Sequence, residues 1–90
     1  MKRLTEKLRP VKKNLENIPK QSGVYILYRG NKSRYVGSAG AGRLRDRIKQ
    51  QLNQKRGITS FQYRTTSSTR EAQKLEKRYR DQLNPKQKRI

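Results

Sequence analysis

Residues 23–37, Gly-Val-Tyr-Ile-Leu-Tyr-Arg-Gly-Asn-Lys-Ser-Arg-Tyr-Val-Gly, limit the folds open to this chain more than any other stretch. Val24, Ile26 and Tyr28 alternate with Tyr25, Leu27 and Arg29, so β-branched and aromatic residues fill both faces. That pattern predicts a strand buried on both sides, which needs cover above and below. Gly30-Asn31-Lys32-Ser33 supplies turn chemistry, because Gly and Asn accept positive φ where other residues do not. Arg34-Tyr35-Val36 then resumes an extended run, and the whole stretch reads as a β-hairpin. Two tyrosines ten residues apart sit in glycine-bounded triplets, Gly23-Val24-Tyr25 and Tyr35-Val36-Gly37.

The flanking chain supplies the cover. Leu4, Leu8, Val11, Leu15 and Ile18 have helical spacing, interrupted by Pro10. A helix is expected over about residues 10–17, with a loose segment before it. Beyond the hairpin, residues 38–42 are small and flexible, and they lack the Lys-Ser/Thr of a phosphate-cradling loop. Leu44, Ile48 and Leu52 form one stripe of a helix over 43–54, with Arg43 and Arg47 in a parallel row and Arg45 facing elsewhere. Gly57 closes that helix. Phe61, Tyr63 and Thr65 alternate with polar residues in a third strand over 59–66. Ser68 and Glu71 form a capping box that opens a last helix, with Ala72, Leu75, Tyr79 and Leu83 on its apolar face and Asn84-Pro85 ending it. The expected fold is α/β (α+β), a three-stranded antiparallel sheet flanked by helices. The expected division is a basic N-terminal helical extension at 1–17, a domain at 18–85 and a basic tail at 86–90.

Charge decides the class of partner. Lys and Arg number 25 against six acids, a net charge of +19. Such an excess requires a polyanion, first of all nucleic acid, DNA or RNA. No run is long enough to span a bilayer and no apolar signal segment follows Met1, so a cytoplasmic protein without membrane contact is expected. Hydrophobic residues are 29%, which allows a small core only. Cysteine and histidine are both absent. That removes disulfides, thiolate zinc sites and the usual general base. Chemistry must come from Tyr, Glu, Asp, Lys or Arg, and a metal must be held by oxygen, which points to Mg2+ or Mn2+.

The two triplets resemble the signature of the GIY-YIG nuclease family, with Val in place of Ile in both. Further along, Leu44-Arg45-Asp46-Arg47 resembles the family's Leu-x-x-Arg helix start, which makes Arg47 the matching arginine. The spacing from Tyr35 is about two residues longer than the commonest family form, with the excess in a loop that tolerates insertion. Glu71-Ala72-Gln73-Lys74-Leu75-Glu76, with Pro85 nine residues later, is similar to the family's Glu-Ala-x-x-Leu-Glu helix. The resemblance covers residues 18–85. Two positions depart from it. Gln51 stands where relatives often carry His, and Lys88 stands where they carry an Asn that supports the site.

The resemblance implies a divalent-metal-dependent endonuclease that hydrolyses phosphodiester bonds in DNA, duplex or branched. It implies Glu76 as ligand of one metal, Arg47 as a fork on the phosphate oxygens, and Tyr25 as acceptor of a proton from the attacking water. Tyr35 would hydrogen-bond the water or the phosphate, and which tyrosine is the base stays open. Nearby cations are expected to lower the Tyr25 pKa. Arg43, Arg47, Lys32, Lys12 and Lys13 are the expected nucleic-acid contacts. A non-catalytic basic binder of DNA or RNA on the same fold is the alternative, and a nuclease fold that kept only binding is a third. Glu76 separates these readings, because a pure binder gains nothing from an acid on an apolar helix face.

Overall fold

A computed structural model describes residues 3–83. Its elements run α1 (Lys12–Glu16), β1 (Ser22–Arg29), β2 (Lys32–Ala39), α2 (Leu44–Gln54), β3 (Ser60–Thr66) and α3 (Thr69–Leu83). The three strands form one antiparallel sheet in the order β2-β1-β3. The strand with apolar residues on both faces is therefore the central one, and every residue from Ser22 to Tyr28 is buried. The hairpin turn is tighter than the four residues expected. Only Gly30 and Asn31 lie between the strands, with Gly30 at φ +64°. A bulge between Leu27 and Tyr28 shifts the β1–β2 register near this turn.

Each face of β1 starts its own core. Tyr25 and Leu27 pack with Ile18, Ala39, Leu44, Ile48 and Phe61, under α1 and α2. Val24, Ile26 and Tyr28 pack with Val36 and Leu75, under α3, with Leu4 and Tyr79 at the margin. The α3 start follows its sequence signal. The Glu71 N–H donates to Ser68 Oγ at 3.1 Å, while the Glu71 carboxylate accepts from Ser67 N and Oγ at 2.9 and 2.7 Å. The return bond thus falls one residue upstream of the usual capping box.

The N-terminal part differs from expectation. The helix is a single short turn, Lys12–Glu16, rather than one spanning 10–17. The segment before it is extended and bonded to β3. Thr5 N–H donates to the Tyr63 carbonyl at 3.0 Å, and Leu8 and Phe61 exchange two bonds at 2.8 Å. Leu4 joins the core under α3, and Leu8 and Leu15 join the opposite one. The physical reason is Pro10, which disfavours α geometry at the residue before it and stops a helix from propagating backward. The tail at 86–90, with Pro85 and Lys88, lies outside the described residues. No helix among the described residues is long and apolar enough to cross a membrane.

Ile48 is fully buried where α2 meets the sheet. Ile48→Ala is expected to destabilise the fold by about 2–5 kcal/mol, since a core this small cannot collapse around the lost volume. Urea denaturation followed by circular dichroism measures it.

Candidate active site at the β2 edge

The expected site residues come from three layers. Tyr25 and Gly37 are paired across β1 and β2, and both face the α2 side. Gly37 has no side chain to meet, so the tyrosine lies directly across it. A Cβ added at Gly37 would stand 2.3 Å from the Tyr25 hydroxyl and 2.5 Å from Cζ. The phenol thus passes over β2 to the edge of the sheet. Arg47, on the second turn of α2, reaches the same edge from one layer. Glu76, on α3, reaches it from the other.

Electrostatics register that convergence. Burial pushes the Tyr25 phenol up to about 12, while the Arg47 charge pulls it down and the Glu76 charge pushes it further up. The Arg47 charge acts in the expected direction, but burial, which withdraws the hydroxyl from water, outweighs it.

Glu76 is held rather than isolated. Ser38 Oγ donates to its Oε1 at 2.5 Å, and Arg80 Nη2 pairs with its Oε2 one helical turn later. Arg80 also donates to the Val36 carbonyl at 3.5 Å. Beside Arg47, a cavity of about 200 Å³ is lined by Ala39, Gly40, Arg43, Asp46, Arg47 and Gln50. Two arginines one turn apart on its wall suit a phosphate. No cluster of three or more His, Cys, Asp or Glu occurs among the described residues. The oxygen groups at this edge are the Glu76 carboxylate and the Ser38 and Tyr25 hydroxyls. That fits a hard cation that keeps most of its waters, as magnesium does, and does not fit a dehydrated cage.

A family model described as a domain of unknown function, DUF7508, matches residues 4–82. The chain belongs to the DUF7508 family. No curated protein matches it. Among solved structures, this DUF7508 chain is similar to the magnesium-bound GIY-YIG N-terminal endonuclease domain of UvrC from Thermotoga maritima. The identity is 25% and the TM-score 0.70, over 83% of this chain and 91% of that one. Two point mutants of the same UvrC domain, each bound to its catalytic divalent cation, align at 26% identity with TM-score 0.69 and at 25% with 0.72. They cover 83% and 88% of this chain and 90% and 94% of theirs. The three-stranded antiparallel sheet with flanking helices is thus the GIY-YIG domain fold, as the sequence resemblance implied.

Not every expected residue gathers here. Tyr35 lies on the same face, two residues from Gly37 along β2, with Lys55 Nζ 4.6 Å from its ring centre. Arg43 joins Arg47 at the cavity. Lys32 sits by the hairpin turn, at the far end of β2 from Ser38. Lys12 and Lys13 lie exposed on α1, whose Leu15 lines a separate cleft with Leu52 and Lys55 at the C-terminal half of α2. These three lysines stand apart from the cluster. Arg45, read as pointing away from the site, does so by donating to the Ile18 carbonyl at 2.7 Å.

Ser38, Arg80 and Asp46 are the neighbours that sequence reasoning missed. Arg80 was legible as an i, i+4 partner of Glu76. Ser38 was legible only with β2 extended two residues beyond the hairpin glycine, which puts it on the Val36 face under α3.

The Tyr25 value sets an alkaline limit. Because the folded-state pKa of about 12 lies above the ordinary 10.0, the fold favours the protonated phenol. That preference costs nothing below about pH 10, and stability falls as pH rises from there through about 12. Tyr25→Phe is expected to flatten this decline. Tyr28 and Tyr63, also raised by burial, leave a residual slope. Circular dichroism melts across alkaline pH make the comparison.

Proposed function

We propose that this protein is a divalent-metal-dependent endonuclease that hydrolyses phosphodiester bonds in DNA. The observation that carries the reading is the Tyr25 phenol at the sheet edge, acted on at once by Arg47 from one layer and Glu76 from the other. The fold shared with magnesium-bound endonuclease domains supports it, as does a net charge of +19.

In this reading Glu76 and the Ser38 hydroxyl hold one magnesium or manganese ion. When bound, the ion supplies positive charge for the scissile phosphate and the leaving oxygen. Arg47, with Arg43 beside it, forks onto the non-bridging oxygens and fixes the phosphate at the cavity mouth. Tyr25 stands where the attacking water gives up its proton. Burial, with a smaller push from the Glu76 charge, keeps the phenol protonated at rest, so the Arg47 charge and a bound cation are what would draw it toward phenolate. Tyr35 orients the water or the phosphate, its ring held by Lys55. Lys32, Lys12 and Lys13 contribute sequence-independent attraction to the duplex, away from the chemistry.

A supercoiled plasmid assay with and without magnesium tests the reading. Glu76→Gln is expected to abolish magnesium-dependent cleavage and leave duplex binding intact. Arg47→Ala is expected to lose about 10²–10³ in rate, the scale of one transition-state donor. Arg45 is not a clean control, because it bonds the Ile18 carbonyl. Lys49→Ala, an exposed charge on the same helix, should cleave at the normal rate. A Glu76→Gln protein with normal magnesium dependence sinks the metal assignment.

Duplex affinity should fall steeply with salt and differ little between unrelated sequences, as expected of binding by phosphate contacts. Fluorescence anisotropy with two duplexes across a salt series checks this. A flat response would contradict it.

A further inference from the structure

Glu76 has two competing claims on it. Its Oε2 is paired with Arg80, and its Oε1 accepts from Ser38 at 2.5 Å. The same Arg80 Nη2 also donates to the Val36 carbonyl at 3.5 Å, so this end of the guanidinium sits between α3 and the β2 edge. The side chains of Arg80 and Glu76 are 36% and 22% exposed. They are buried enough for the pair to be felt electrostatically, and open enough for the arginine to swing into solvent. Among the described residues no group of three or more His, Cys, Asp or Glu gathers to hold a metal, so Glu76 has no ready-made cage of ligands around it. A guanidinium and a dication cannot both contact Oε2 without like charges facing each other at close range.

We propose that Arg80 is the resident counter-ion of Glu76 and must be displaced when a divalent cation binds. The inference rests on the metal-holding role of Glu76 given above. Arg80 then sets how much magnesium the protein needs. It supplies a cation to the half-buried carboxylate in the metal-free state, which keeps the edge of α3 docked on β2. It also weakens the metal site by the free energy of the pair it gives up. The site loads only when the ion concentration is high enough to win the exchange, and Ser38 stays on Oε1 in both states.

Calorimetric titration of the full chain with manganese chloride tests this on wild type, Arg80→Gln, Arg80→Lys and Glu76→Gln. Arg80→Gln keeps a polar side chain without charge and is expected to tighten manganese binding by up to about fivefold, the upper scale of a partly exposed ion pair. It should also enlarge the rise in melting temperature on adding manganese. Arg80→Lys, which keeps the charge, should stay within about twofold of wild type. Glu76→Gln should bind no ion at this site. A purely structural role for Arg80 would lower the melting temperature and leave manganese affinity where it was. Nitrogen NMR of the wild-type arginine side chains reads the exchange without mutation. The Arg80 guanidinium should rotate slowly without metal and freely with saturating magnesium. Equal affinity of wild type and Arg80→Gln, with none in Glu76→Gln, overturns the counter-ion proposal and leaves the metal role of Glu76 standing. An unchanged Arg80 signal at saturating magnesium also overturns it. If none of the four proteins binds manganese, both the proposal and the metal role fall.

Discussion

The arrangement at the β2 edge depends on one close approach, the Tyr25 phenol lying across Gly37. A sheet normally keeps apart the helices on its two faces, so a residue of the central strand can speak to one layer only. Gly37 removes that restriction for Tyr25, because any Cβ there would stand within 2.3 Å of the hydroxyl. The phenol crosses the neighbouring strand and emerges at the rim, where the two layers meet around the edge. Arg47 arrives from the α2 layer and Glu76 from the α3 layer, and both charges act on the same oxygen. The glycine is therefore what lets a buried residue of the central strand reach across to the sheet edge.

How much of this was legible follows from the range of the interactions. The central strand and its double burial could be read from side chains alone, because residues 24–28 are apolar or aromatic on both faces. The α3 start could be read from Ser68 and Glu71, since capping is local. The N-terminal segment could not, because Leu4 and Leu8 have spacing that suits a helix, while the deciding bonds run to Phe61 and Tyr63, over fifty residues away. Arg45 could be read as facing away from Arg47, but what holds it there could not, because its acceptor is the distant Ile18 carbonyl. The raised Tyr25 pKa was missed because a sequence displays the nearby charges and hides the burial that outweighs them.

The excess of basic residues is reconciled with a small core in part by letting long side chains double as cover. Lys7 Nζ stands 4.3 Å from the centre of the Tyr28 ring and Lys55 Nζ 4.6 Å from that of Tyr35. Such contacts set the charged ends over aromatic faces, where the ring quadrupole attracts them. Tyr28 is tied further by donating to Gln62 Oε1 at 2.5 Å, and Gln62 in turn donates to the Thr5 carbonyl at 2.7 Å. The chain that closes the β3 side of the sheet is thus fastened by the polar residues of the sheet itself.

Both outer strands of the sheet are closed to strand addition, though by different means. On β3 the backbone bonds of Thr5 and Leu8 occupy the outer side. On β2 the Arg80 guanidinium reaches the Val36 carbonyl, and Lys32 and Arg34 place further positive charge along the strand. An unpaired ladder is the usual template on which a second chain grows, and charge along an edge is one way folded proteins prevent it. For a small basic protein this matters most when a polyanion gathers many copies at high local density. Charge of one sign along that edge opposes its pairing with the same edge of another copy, so the feature that draws the protein to a polyanion also works against the growth of one continuous sheet.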